Sequence, residues 1–385
     1  MPQKEIRVAL IRGGTSKGVF IRDAELAGFD PAARDRILLA LFGSPDPRQI
    51  DGLGGGTSTT SKVVIVGESS RPGVDLEYTF GQVSLDKSLV DYGGTCGNLT
   101  TAVGVFGINE GMVEATDPLT RLVLFNRNTQ RTVVAEIPTS GGVADPEGNL
   151  RIAGVPGTGA RILTRYRDPA GGVTGRLLPT GNPVDTVHVG GETVSCSIVD
   201  AVNPVVFVEA SAVGLTGRET PAELNGNRKA LEALETVRGE ASVLARIVES
   251  PGTAAAQSPG VPKVAFVSPP CDYRTVSGER LSASEINVLA RILSMQKAHP
   301  TYAVGAAICT AVAALCPGTV VCSAACLDGD PRRERTTTIT IGHPVGTMRV
   351  ELTVDYPENG PPIVVEAAVE RTARYLIAGT AFYRL

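Results

Sequence analysis

Apolar residues fall along this chain in short β-branched runs bounded by turn residues, with a few stretches at helical spacing between them. Residues 8–11, 18–21, 63–66, 76–80, 123–126 and 132–137 read as strands on that pattern. Residues 31–42 repeat Ile37, Leu38 and Leu41 at helical spacing behind Asp30, a residue type that caps helix starts. A second helix is expected over 97–106, where small residues would permit deep burial. A crossing rich in glycine and proline, 154–183, separates this half from the next. Strand patterns resume at 193–198, 204–209, 264–267, 336–341, 348–353 and 363–366. Helical spacing covers 221–248, interrupted at Gly239, and 284–297, while 250–262 reads as an exposed loop and 306–315 as an apolar run of small residues. Strands and helices mix rather than strictly alternate, which predicts an α+β protein with largely antiparallel or mixed sheets.

Length changes that picture by asking for two cores. At 385 residues the chain is too long for one and suits two domains, 1–183 and 184–385, with the last strand free to return to the first. The 44 glycines and 26 prolines fit many turns between short strands. Tryptophan is absent, aromatics make up 4%, and the net charge of −4 is dispersed, so neither a stacking platform nor a basic stripe for nucleic acid is expected. No apolar run is long enough to cross a membrane, and 1–12 alternates like a strand without the apolar core of a signal peptide. Seven cysteines, five of them late in the chain, suit free thiols in a reducing cytoplasm better than a disulfide framework. A homo-oligomer is left open.

Several motifs tempt and fail. Gly14-Thr15-Ser16-Lys17-Gly18 has the letters of a nucleophile elbow, but a strand follows it where a helix is required. Gly52-Leu53-Gly54-Gly55-Gly56-Thr57 lacks the third glycine of a dinucleotide fingerprint and the Gly-Lys-Ser/Thr ending of a P-loop. His188, His299 and His343 are scattered, and Cys316, Cys322 and Cys326 lack zinc or iron–sulfur spacing. No metal and no cofactor are expected.

What survives is a set of donor-rich turns around one thiol and one amine. Gly94-Thr95-Cys96-Gly97-Asn98 sets a cysteine at a turn entering a helix, where unpaired N–H groups and the dipole favour carboxylates and thiolates. The loop 51–61, glycine- and hydroxyl-rich, forms an anion nest ending at Lys62, directly before the apolar Val63-Val64-Ile65-Val66. A lysine so placed can be desolvated into a base near neutral pH. Arg12 to Gly18 offers a third such turn, so the chain is built to hold a small polyanion. There is also an internal echo: Tyr92 to Cys96 and Tyr302 to Cys309 each precede a small-residue helical run, which predicts a duplicated domain with cysteines at equivalent helix starts.

The strings RGGTSKG (12–18), FGSPDPRQIDGLGG (42–55), TSKVVIVG (60–67), SSRPGVDLEYTFGQV (69–83), CGN (96–98), VPGT (155–158), LPTGN (178–182), LNGN (224–227) and IGHP (341–344) resemble the PrpF family over almost the whole chain. The family includes 2-methylaconitate and aconitate isomerases, oxalomesaconate tautomerases and 3-methylitaconate isomerases. The resemblance implies a diaminopimelate epimerase-like fold, with two similar domains, each a sheet wrapped around a central helix, and an active site in the cleft between them. It further implies that Lys62 and Cys96 are the catalytic pair, acting without a cofactor on a small unsaturated di- or tricarboxylate. Leu99, Thr100 and Thr101 depart from the epimerase continuation of Cys-Gly-Asn, which favours an isomerase of unsaturated acids over an amino-acid epimerase.

The expected reaction is a 1,3-proton shift through a dienolate, stabilised by amides at Gly97, Asn98, Thr310 and Ala311. Thr15, Ser16, Lys17 and Ser61 are candidates for holding carboxylates, with Lys297 and His299 behind them, and Cys309 is a candidate second acid or base. The alternatives are a racemase using Cys96 and Cys309 as opposed bases, and a protein that binds a carboxylic acid without turning it over.

Overall fold

The computed structural model describes residues 3–327, 329–358 and 361–385; the first two residues of the expected N-terminal strand lie outside these. The chain divides into two units, Met1–Arg165 with Glu370–Leu385, and Tyr166–Val369. The boundary falls earlier than the sequence suggests, because the Gly/Pro-rich crossing is tied to the second unit. There the amides of Val173 and Thr174 donate to Asp200 Oδ2 at 2.9 and 2.6 Å, and the Val202 amide donates to the Pro169 carbonyl.

In the first unit the strands are β1 (Lys4–Gly13), β2 (Ser16–Arg22), β3 (Lys62–Glu68), β4 (Leu76–Val83), β5 (Leu119–Asn126) and β6 (Arg131–Ser140). β1 pairs antiparallel with β2, β2 parallel with β3, β3 antiparallel with β4, β4 parallel with β5, and β5 antiparallel with β6. The closing strand, Ala373–Tyr383, returns to pair antiparallel with β1 over its whole length.

Two helices take the two faces of this sheet. Helix α1 (Pro31–Phe42) starts as the sequence asks: Asp30 Oδ1 accepts from the Ala33 amide at 2.7 Å, and Pro31 needs no partner at the first position. It packs Ile37, Leu38 and Leu41 against Val8, Val19, Ile21 and Val63. Helix α2 (Gly97–Asn109) is buried on every side from Gly97 to Ile108, the mark of a helix inside a core. Its small residues are required there: a Cβ on Gly104 would fall on Ile137, and one on Gly107 on Leu76.

The second unit repeats the scheme. Its strands β7 (Glu192–Ala201), β8 (Asn203–Glu209), β9 (Lys263–Ser268), β10 (Val288–Ser294), β11 (Thr336–His343) and β12 (Gly346–Asp355) pair antiparallel, parallel, antiparallel, parallel and antiparallel in turn. A further strand, Ile363–Arg371, pairs antiparallel with β12. Helix α3 (Arg228–Leu244) occupies the place of α1 between the second and third strands, and α4 (Val304–Leu315) that of α2 between the fourth and fifth. Like α2, α4 is buried throughout. The same order of pairings in both halves makes the duplication a property of the backbone.

Three expectations change here. The stretch expected as a helix over 284–297 contains β10 instead; all seven residues of that strand are buried, and an apolar run covered on both faces has no strand periodicity to read. The helical stretch 221–248 breaks at Asn227, which caps α3, and not at Gly239, whose missing Cβ admits the Pro251 carbonyl. The expected loop 250–262 contains a short helix, Ala254–Gln257, anchored by the buried Ala254. Among the described residues no helix is long and apolar enough to cross a membrane.

Candidate active site

The site grows from the tight turn between β1 and β2. Gly13 pairs with Ser16, so Gly14 and Thr15 make the turn, and Gly14 holds φ at +50°, a value that favours glycine. A Cβ on Gly14 would fall on Asn98 Oδ1, and one on Gly13 on the Asn98 carbonyl. That close approach lets Asn98 lock the turn: its Oδ1 accepts from the Thr15 amide at 3.4 Å, and its Nδ2 donates to Thr15 Oγ1 at 3.1 Å. The turn is thereby fixed to the head of α2, and Ser16 Oγ lies 3.9 Å from Cys96 Sγ.

Cys96 is the N-cap of α2. It caps with its carbonyl alone, which accepts from the Leu99 and Thr100 amides at 2.9 Å, so the half-buried thiol is left for other work. Gly97 and Asn98 are the first two residues of the helix, where the dipole favours an anion. Behind the head, Asn126 Nδ2 donates to Tyr78 Oη at 3.0 Å and to Thr95 Oγ1 at 2.7 Å, and Tyr78 meets Thr100 Oγ1 at 2.9 Å. These bonds hold the residues on either side of the thiol.

Lys62 opens β3 and is 7% exposed. It stands opposite Gln82 in the β3–β4 ladder, so the two side chains share a face, and Nζ donates to Gln82 Oε1 at 2.6 Å. Gln82 is oriented in turn by donating Nε2 to the carbonyls of Ser61 at 2.8 Å and Ser58 at 3.2 Å. The amine also lies 5.2 Å from the centre of the Phe80 ring. Burial pushes the Lys62 amine below the ordinary lysine range, and the negative charge that Cys96 would carry as a thiolate pulls it partly back. Among the described residues no carboxylate offsets the buried amine, so its neutral form is reachable nearer neutral pH.

The structure thus brings Lys62, Cys96, Ser16, Thr15, Gly97 and Asn98 together in the first unit. The Ser61 hydroxyl is fully buried, donating to the Val83 carbonyl at 2.9 Å and accepting from Gln49 Nε2 at 2.6 Å; it braces the loop and is not open to a carboxylate. Lys17 alternates with Ser16 and projects from the opposite face of the sheet. Cys309 is not at a helix start: it is the sixth residue of α4, fully buried, its thiol donating to the Val199 carbonyl at 3.1 Å. Burial raises that thiol well above its ordinary range.

Thr310 and Ala311 follow within α4, where amides are taken by carbonyls one turn back, so neither offers a helix-start donor. Lys297 is exposed, and the His299 ring accepts from the Thr301 amide at 3.1 Å, both in the second unit. Gln82 is the residue that sequence reasoning passed over. Only the register of the hairpin, 20 positions on from Lys62, brings it to the amine.

The duplicated α+β scaffold is the diaminopimelate epimerase-like fold. Within it, the family model described as PrpF protein matches residues 3–384, and the chain belongs to that family and is an enzyme of the isomerase class. It is 41% identical over 381 residues to the 3-methylitaconate isomerase of Eubacterium barkeri, covering 99% of this chain and 97% of the relative. It is 38% identical over 391 residues to the 2-methyl-aconitate isomerase of Shewanella oneidensis, covering 98% and 96%. The crystal structure of a methylitaconate-delta-isomerase superposes with a TM-score of 0.78 at 40% identity, covering all of this chain and 96% of that one.

Proposed function

We propose that this protein moves a carbon–carbon double bond by a 1,3-proton shift in a small unsaturated di- or tricarboxylate, with Lys62 and Cys96 as the proton-transfer pair and no cofactor. The observation that carries the reading is the Lys62 amine: buried, without a carboxylate partner among the described residues, aligned by Gln82 and within electrostatic reach of the thiol at the head of α2.

In the reaction one member of the pair removes a proton from the allylic carbon. The electrons of that C–H bond become a new π bond, and the old π pair moves toward the conjugated carboxylate. A proton then reaches the far carbon, and the count of protons is unchanged. The dienolate needs donors as its charge develops, and the amides of Gly97 and Asn98 at the head of α2 suit that task. Thr15 and Ser16 suit one carboxylate beside them. Racemisation by two opposed cysteines is disfavoured by the fully buried Cys309, whose thiol is engaged by a carbonyl.

The named relatives are isomerases of 3-methylitaconate and of 2-methyl-aconitate, a dicarboxylate and a tricarboxylate, so pocket shape selects the substrate within this class. The seven cysteines, all free, support a reducing cytoplasm as its location. The test is a panel of 3-methylitaconate, 2-methylaconitate, cis- and trans-aconitate and oxalomesaconate, each incubated with enzyme in D2O and followed by proton spectra, with and without prior chelation. Double-bond movement with deuterium uptake is expected for at least one acid, chelated or not. Inertness toward all of them, or activity that returns only with added metal, overturns the reading.

A further inference from the structure

The same strands carry a second arrangement on their other face. Arg12 stands directly opposite Lys17 in the β1–β2 ladder and directly opposite Arg374 in the ladder with the closing strand. Three cations therefore form one row across three strands, with neighbouring Cβ atoms about 4.5–5.5 Å apart, a spacing at which like charges destabilise a sheet. Among the described residues none of the three is held in an ion pair. Arg12 Nη1 donates to the carbonyls of Gly14 and Thr372 at 3.1 and 2.9 Å and to Thr372 Oγ1 at 3.0 Å, which leaves Nε and Nη2 for another acceptor. Burial and the charge of Arg374 together hold the Arg12 guanidinium below its ordinary range.

Alternation fixes which way the row looks. Val8, Leu10, Val19 and Ile21 pack on α1, and Arg12 and Lys17 continue that face. Ser16, Gly18 and Phe20 look toward α2: Ser16 meets Cys96, a Cβ on Gly18 would meet Leu99, and Phe20 stacks on Phe106. The row lines a cavity of about 440 Å³ together with Gly154, Val155, Pro156 and the hydroxyl-bearing Thr60. Its lining shares Thr15 and Ser16 of the turn with the site described above, but contains neither Lys62 nor Cys96, and no aspartate or glutamate.

We propose that this cavity holds a second anion site, on the far side of the Gly13–Ser16 turn from Lys62 and Cys96, which takes a small oxyanion of at least two charges, a polycarboxylate or phosphate, between the guanidinium forks of Arg12 and Arg374 and the amine of Lys17. Guanidinium groups match paired oxygens of carboxylate and phosphate, and an anion there converts a repulsive row into a satisfied one. The site lies beside the Gly13–Ser16 turn, so an occupant braces the turn that presents Ser16 to Cys96.

The test is calorimetric titration and thermal unfolding of the full-length protein with tricarballylate, a saturated tricarboxylate that cannot be isomerised, and separately with inorganic phosphate. Sodium chloride at matched ionic strength is the control. Arg374→Gln and Lys17→Gln are compared with the parent; both side chains lie at the sheet surface, and in each variant the anion-free midpoint is expected to stay level or rise as repulsion falls. Affinity for at least one of the two anions should drop at least about tenfold in Arg374→Gln, the loss expected for one hydrogen bond to a charged group. An effect with tricarballylate assigns a polycarboxylate, and one with phosphate assigns phosphate. Unaltered binding of both anions in both variants, stabilisation that sodium chloride reproduces, or an anion-free midpoint that falls in both variants would overturn the proposal.

Discussion

The two repeats place a buried helix at the same point in the same strand order, yet their heads differ. α2 begins at Cys96, a half-buried thiol that looks onto Ser16 and is electrostatically coupled to Lys62. α4 is capped by Ala303, whose methyl group has no polar atom to offer, and its cysteine sits more than one and a half turns further in, facing the Val199 carbonyl. A tyrosine hydroxyl meets a threonine of each helix, Tyr78 with Thr100 and Tyr302 with Thr310, but the threonines stand four and seven residues past the two caps, so the polar support differs as well. Duplication has preserved the scaffold that aims a helix start and has left a thiol at that start in one copy. That asymmetry suits a proton shift needing one acid–base pair, whereas two-base racemisation needs a group on each side.

The sharpest test of the asymmetry is to remove the pair in the first unit. Lys62→Ala and Lys62→Arg should each lower turnover by at least about 10²-fold, the smaller contribution typical of general acid–base catalysis. Arginine keeps the charge but does not deprotonate in the working range, so it separates a proton carrier from a charge clamp. Cys96→Ser should be impaired as severely, since a hydroxyl is a far poorer acid or base than a thiol at a helix start. Steady-state rates on the best substrate of the panel decide this. Near-normal rates in Lys62→Arg would reduce the lysine to a clamp and undo the comparison.

How much of this was legible beforehand follows from what local sequence records. Strands such as β3 and β11 could be read because their β-branched runs are short and bounded by turn residues, and α1 because Asp30 and the apolar spacing agree. β10 could not, because burial on both faces removes the alternation that distinguishes a strand. Lys62 and Cys96 each carried a local signal, an apolar strand after one and a glycine turn around the other. The echo that led to Cys309 aligned cysteine letters, whereas the fold aligns helix starts, so Cys96 corresponds to Ala303. Gln82 and the row of Arg374, Arg12 and Lys17 exist only through strand register, and Arg374 arrives from the far end of the chain. Nothing local could announce either.

A smaller effect probes how the first unit tunes its amine. Gln82 offers Lys62 a neutral oxygen at 2.6 Å, so the amine remains below its ordinary range through burial. Gln82→Glu would put a carboxylate at that distance and favour the ammonium form. Whichever limb of the pH–rate profile Lys62 governs, that limb should move to higher pH by about 1–3 units, the span expected for an opposite charge within 4–6 Å. A limb that rises with pH assigns Lys62 the first proton removal, and one that falls assigns it the delivery. Rates of the parent and Gln82→Glu measured across pH 5 to 10 check the direction; an unmoved profile would mean that the titrating group is another.

The smallest effect is expected at the cysteine of the second unit. Serine at position 309 keeps a donor for the Val199 carbonyl, which the thiol now reaches at 3.1 Å, and fills nearly the same volume. Folding should therefore change by no more than ~1 kcal/mol, within the ordinary range of single substitutions. Turnover should stay within about twofold, because a group that neither reaches substrate nor exchanges a proton contributes nothing specific to the transition state. Cys309→Ala serves as the packing control, since it leaves the carbonyl without its donor and should destabilise more than serine while sparing turnover equally. Thermal midpoints and kcat/KM measured on both variants separate a structural thiol from a reactive one. If Cys309→Ser loses as much activity as Cys96→Ser with its midpoint unchanged, the second thiol takes part in proton transfer and the asymmetry between the repeats is only one of burial.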